Sequence, residues 1–149
     1  MTMERITAKE LPKGWFDTML NTEGYLKKAG IDQMIYHLVK FRASVINGCG
    51  YCMDMHAKEA AKDGETAQRL YLSQVWREAT CFTPAEAAAL HLTEALTAIG
   101  QSDLESAYTH ASEHFSKAEI ANLVLLICQI NSWNRIAITF GYEPGSYKG

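Results

Sequence analysis

Three times in its second half the chain places a hydroxyl residue three positions before a glutamate and ahead of an apolar run: Thr83-Pro84-Ala85-Glu86, Ser102-Asp103-Leu104-Glu105 and Ser116-Lys117-Ala118-Glu119. This pattern starts helices. The hydroxyl accepts from the backbone N–H three residues on, and the glutamate reaches back to the first residue's own N–H. Pro84 suits the first helical position, where its missing donor would go unused. Glycines at 30, 64, 100 and 141 follow periodic segments, where a helix can close in a left-handed turn.

Between these signals the apolar spacing is helical. Ile31, Met34, Ile35, Leu38, Val45 and Ile46 follow the i, i+3, i+4, i+7 pattern, and so do Ile120, Leu123, Val124, Ile127, Ile130 and Ile138. No segment sustains the period-two alternation of a strand. The spacing predicts about seven helices, roughly 14–29, 32–46, 50–63, 65–77, 84–99, 103–114 and 117–140. The expected fold is all-α, a compact single-domain helical bundle over 1–149, a length typical of one domain.

A net charge of −3 with no basic stripe argues against nucleic acid as a partner. The segment Met1–Thr7 has no apolar run of signal-peptide length, and Leu123–Cys128 is too short to cross a bilayer. The expectation is a cytoplasmic protein with no membrane partner. In that reducing compartment two close cysteines read as metal-binding or catalytic rather than as a structural disulfide.

Chemistry concentrates in Ser44-Val45-Ile46-Asn47-Gly48-Cys49-Gly50-Tyr51-Cys52-Met53-Asp54-Met55-His56. Asn47-Gly48 is a turn dipeptide that should end one helix and let another begin near Cys49. Cys49 and Cys52 then share a first helical turn, where free N–H groups and the helix dipole favour a thiolate. His56 lies one turn on, on the same face, placed to take a thiol proton. Asp54 and Glu59 are expected to project from other sides of this helix. Structural zinc is a second reading, with Cys49, Cys52 and His56 as ligands and His37 as the fourth. A third treats the cysteines as incidental to a non-redox helical oligomer. Cys128 is expected in the core and Cys81 in a loop, both without activation. Trp15, Trp76, Trp133 and Arg135 read as core or subunit-interface residues, and Met53 and Met55 as packing around the site.

The run Leu38–Ser44 followed by Asn47–His56 resembles the alkylhydroperoxidase D-like branch of the carboxymuconolactone decarboxylase superfamily. Trp76-Arg77-Glu78-Ala79 and Trp133-Asn134-Arg135 extend the resemblance from about Trp15 to Tyr142. It implies an all-helical homo-oligomer with thiol-dependent peroxidase activity and no bound cofactor. It also implies a hydroperoxide substrate and a dithiol reductant such as a lipoylated partner protein. Cys52 matches the peroxide-attacking cysteine, Cys49 the resolving one and His56 the proton-transfer residue. The branch places a relay glutamate twelve residues before the first cysteine, and here that position is His37. An imidazole can relay a proton but lacks a carboxylate's fixed charge. The superfamily's decarboxylases, which do not need the cysteine pair, are the enzyme alternative.

Overall fold

All three hydroxyl-and-glutamate signals precede helices, but one acts a residue later than the sequence suggests. The structure, a computed structural model, describes residues 4–149. Met1, Thr2 and Met3, which begin the segment read above for a signal peptide, lie outside the described residues. Among the described residues seven α-helices follow in order: α1 (Trp15–Lys28), α2 (Gln33–Ile46), α3 (Gly50–Lys62), α4 (Ala67–Leu72), α5 (Pro84–Thr97), α6 (Leu104–Ser112) and α7 (Lys117–Phe140). No strand occurs among the described residues.

Thr83 and Ser116 cap α5 and α7 in full capping boxes with Glu86 and Glu119. At α6 the cap is Asp103, whose carboxylate accepts from the Ser106 N–H at 3.0 Å. Ser102 instead donates its hydroxyl to the Ala95 carbonyl at 2.7 Å. A hydroxyl can satisfy the end of α5 where a carboxylate cannot, and a carboxylate gains more from the N-terminus of α6. The fourth helix also departs from expectation. It stops at Leu72 and tightens into a 3₁₀ turn over Ser73–Val75, where the buried Ser73 hydroxyl donates to the Leu70 carbonyl at 2.6 Å.

Helix α2 is sandwiched between two apolar clusters. Ile35 and Val39 face one formed with α1, α5, α6 and α7; Leu38 and Phe41 face another built on α3, α4 and α5. Each fully buried leucine in these clusters contributes about 1.5–3 kcal/mol. By length and composition α7 could cross a membrane, yet it packs against α1, α2, α3, α5 and α6 and buries Leu123, Leu126, Ile127 and Ile130. Of its periodic residues, Ile138 faces outward.

A polar seam fixes the end of α2 against α7. The fully buried Asn134 donates to Ser44 Oγ at 3.0 Å and accepts from Asn47 Nδ2 at 2.9 Å. Asn47 also donates to Asn131 Oδ1 at 2.9 Å. Gly48, at φ 69°, then turns the chain back so that the Cys49 N–H donates to the Ser44 carbonyl at 2.9 Å. The seam thus holds the turn between α2 and α3 against α7.

Candidate functional site

Cys49 occupies the N-cap of α3 in extended backbone geometry, and its Sγ accepts from the Cys52 N–H at 3.3 Å. The two cysteines are joined as a disulfide across Cα atoms 5.2 Å apart. Both are buried, together with Ala137 and beside Tyr51 and Tyr142. They differ in what they face. Cys52 lines a cavity of about 1460 Å³; Cys49 lies behind it, outside the cavity wall. The C-terminal segment closes one side, packing so tightly that a Cβ on Gly50 would come within 2.9 Å of Pro144 Cγ.

His56 and Glu59 continue the wall along α3. The His56 ring is 2 % exposed, and its Nδ1 lies 3.4 Å from Glu59 Oε2, an ion-pair approach rather than an aligned hydrogen bond. Burial pushes His56 below the usual imidazole range, against the pull of Glu59, so the ring rests neutral. Its contact with His56 is the largest cause holding Glu59 down at about 2, with Lys40 and Tyr147 acting the same way. A carboxylate beside Nδ1 favours the proton on that nitrogen, leaving the Nε2 lone pair free to accept one. Among the described residues Nε2 has no hydrogen-bond partner.

Glu59 corrects the sequence reading. Cys52, His56 and Glu59 stand at i, i+4 and i+7, which on a helix is one stripe, so the spacing itself carried the signal. The second carboxylate oxygen accepts from Tyr147 Oη at 3.1 Å, tying the C-terminal segment to the site.

His37 lines the same cavity but is engaged elsewhere. Its Nε2 lies 2.6 Å from Oδ2 of Asp63, the C-cap residue of α3, at the opposite end of that helix from the cysteines. The structure therefore brings Cys52, His56 and His37 to one cavity, and it places Glu59, rather than a residue of α2, beside His56. The zinc reading gains nothing from this arrangement. Among the described residues no group of three or more His, Cys, Asp or Glu side chains is arranged to hold a metal.

Sequence reasoning missed a second polar group in the wall. Lys40 Nζ donates to Tyr36 Oη at 2.9 Å and lies 3.5 Å from Glu23 Oε2. Glu23 also accepts from Trp133 Nε1 at 2.8 Å, so this tryptophan is a polar anchor as well as packing. Cys81 and Cys128 are free and exposed, and Cys128 thus sits outside the core expected for it.

Residues 13–95 match the model of the carboxymuconolactone decarboxylase family. The chain is 38% identical over 144 residues to the uncharacterized protein YdfG of Bacillus subtilis, covering 96% of this chain and 98% of that one. An Agrobacterium tumefaciens protein of unknown function, described as a candidate antioxidant defence protein AhpD, has a crystal structure that superimposes with a TM-score of 0.90. The two are 37% identical, over 97% of this chain and 100% of that one. An uncharacterized peroxidase-related protein from Silicibacter sp. TM1040 shares the fold at a TM-score of 0.74 and 17% identity, over 87% of this chain and 70% of that one.

Proposed function

The chain belongs to the carboxymuconolactone decarboxylase family, and from that premise we propose that it is a thiol-dependent peroxidase cycling through Cys49 and Cys52. The observation that carries this reading is the division of labour around α3. Cys52 shares a cavity wall with a neutral buried histidine and its carboxylate partner, while Cys49 waits behind at bonding distance. The antioxidant designation of the Agrobacterium relative supports the same reading.

In the reduced protein the Cys52 thiol gives its proton to His56 Nε2, and Glu59 stabilises the imidazolium that forms. The thiolate attacks the outer oxygen of a hydroperoxide. A sulfur–oxygen bond forms as the O–O bond breaks, and the departing alkoxide takes the proton from His56 and leaves as alcohol. Cys49 then attacks the Cys52 sulfenic acid: the S–S bond forms as the S–O bond breaks, and the leaving hydroxide takes the proton given up by the Cys49 thiol and departs as water. The resulting disulfide is the state found in the structure. An external dithiol, by chemical class a dihydrolipoyl group on a partner protein, returns both thiols by exchange. Under this reading Glu59 is the partner of His56, and His37 makes a supporting contact with Asp63.

Steady-state consumption of tert-butyl hydroperoxide with dihydrolipoamide as reductant tests the proposal. Wild type is expected to turn over and Cys52→Ser to be inactive. Equal activity in the two overturns it.

A further inference from the structure

Lys40 is one turn of α2 beyond Tyr36, 5 % exposed, and lines the same cavity as Cys52 and His56. An ammonium this deep needs a reason, because removing a charge from water is costly unless it is paired and hydrogen-bonded. Its partners are only partly sufficient. Tyr36 Oη accepts one N–H, Glu23 offers a carboxylate oxygen at 3.5 Å, and the Tyr36 ring lies 4.3 Å below the nitrogen. Glu23 is meanwhile shared with Tyr36 Oη at 3.3 Å and with the Trp133 indole. A hydrophobic residue would fill the same space without any of these requirements.

We propose that Lys40 is a positioning residue for the thiol chemistry, a fixed cation that offsets Glu23 and Glu59 so that His56 stays an empty proton acceptor between turnovers. The role in turnover rests on the peroxidase reading; the effect on His56 does not.

The charges around the site make the sign definite. From α1 come Glu23 and Lys27, from α2 Tyr36, and from α3 His56 and Glu59; α7 contributes the neutral indole of Trp133. Both carboxylates favour imidazolium at His56, and Lys40 opposes them. Without Lys40 a buried ring beside Glu59 would draw a proton at higher pH and could no longer take one from Cys52. Lys40 itself is pushed down by burial and pulled back by Glu23 and Glu59, and Lys27 pushes it down further. The two carboxylates thus pull toward its charged form the group that tempers them.

The test is the titration midpoint of the His56 ring in reduced protein, read by NMR of its ring nitrogens, in wild type, Lys40→Met and Lys40→Arg. Lys40→Met is expected to raise the midpoint by about one pH unit, the scale of one lost neighbouring charge. Lys40→Arg, which keeps the charge, should restore it, and the acid limb of peroxide consumption should follow the same order. A folded Lys40→Met with an unchanged His56 midpoint overturns the proposal. Should Lys40→Met fail to fold, Lys40→Gln is read in its place, and an unchanged midpoint there overturns it equally. If wild type consumes no peroxide, the peroxidase reading fails while the His56 midpoint still decides the effect of Lys40.

Discussion

Glu59 holds a carboxylate oxygen 3.4 Å from Nδ1 of His56, three residues earlier on the same helix. The pairing therefore forms with α3 itself and needs no other element to align it. Its far side is tied by Tyr147, so the C-terminal segment reports on whether the carboxylate is in place.

Glu59→Gln keeps the shape and removes the charge. Without it the imidazolium at His56 is less stable, and the reduced protein should react with peroxide about tenfold more slowly at pH 7, the scale of one unit in the base's pKa. Stopped-flow measurement of disulfide formation checks this, with circular dichroism confirming the fold. A rate within twofold of wild type contradicts it.

Stability should also report the pair. His56 is pushed down in the folded protein, so below about pH 6.5 the unfolded chain takes up a proton that the folded one does not, and stability falls as pH drops. Glu59 is held at about 2 from an ordinary 4.5, so its contribution is present above 4.5 and is lost as pH falls from there toward 2. The pH dependence of urea unfolding should therefore weaken between pH 7.5 and 5 in His56→Gln, and between pH 4.5 and 2.5 in Glu59→Gln.

His37 separates structural from chemical roles. Its ring is buried and committed to Asp63 at 2.6 Å. His37→Ala should cost about 0.5–1.5 kcal/mol of stability, as expected for a lost part-buried hydrogen bond, and leave the peroxide rate of the folded fraction within about twofold of wild type. A large rate loss at unchanged stability would return His37 to the relay.

Much of the helical frame is legible in the sequence because its causes are local. Asn47-Gly48 ends α2 and Cys49 caps α3 through contacts within a few residues. Glu59 is equally local, because it stands on the same helical stripe as Cys52 and His56. The rest depends on tertiary packing. Ser44, Asn47 and Asn134 meet only when α7 lies on α2, and nothing in their spacing announces it. Lys40 and Glu23 pair across two helices, where the sequence offers an ordinary lysine and an ordinary glutamate. The break after α4 follows from the burial of Ser73, which helical periodicity does not encode.

That seam is itself testable. Asn134→Leu fills the space but leaves the Ser44 hydroxyl and the Asn47 amide each short of a partner. Each keeps one other partner, the Lys40 carbonyl for Ser44 and Asn131 for Asn47, so the fold should lose about 0.5–1.5 kcal/mol for each hydrogen bond removed. A shifted urea midpoint with unchanged slope is the expected result; wild-type stability would mean the seam does not hold the turn between α2 and α3 against α7.

The most direct measurement is an anaerobic titration of the fully reduced protein with tert-butyl hydroperoxide, followed by peptide mapping. The expected result is one Cys49–Cys52 disulfide formed per equivalent of peroxide, with Cys81 and Cys128 still free. Peroxide left unconsumed, or oxidation confined to Cys81 and Cys128, would contradict the account.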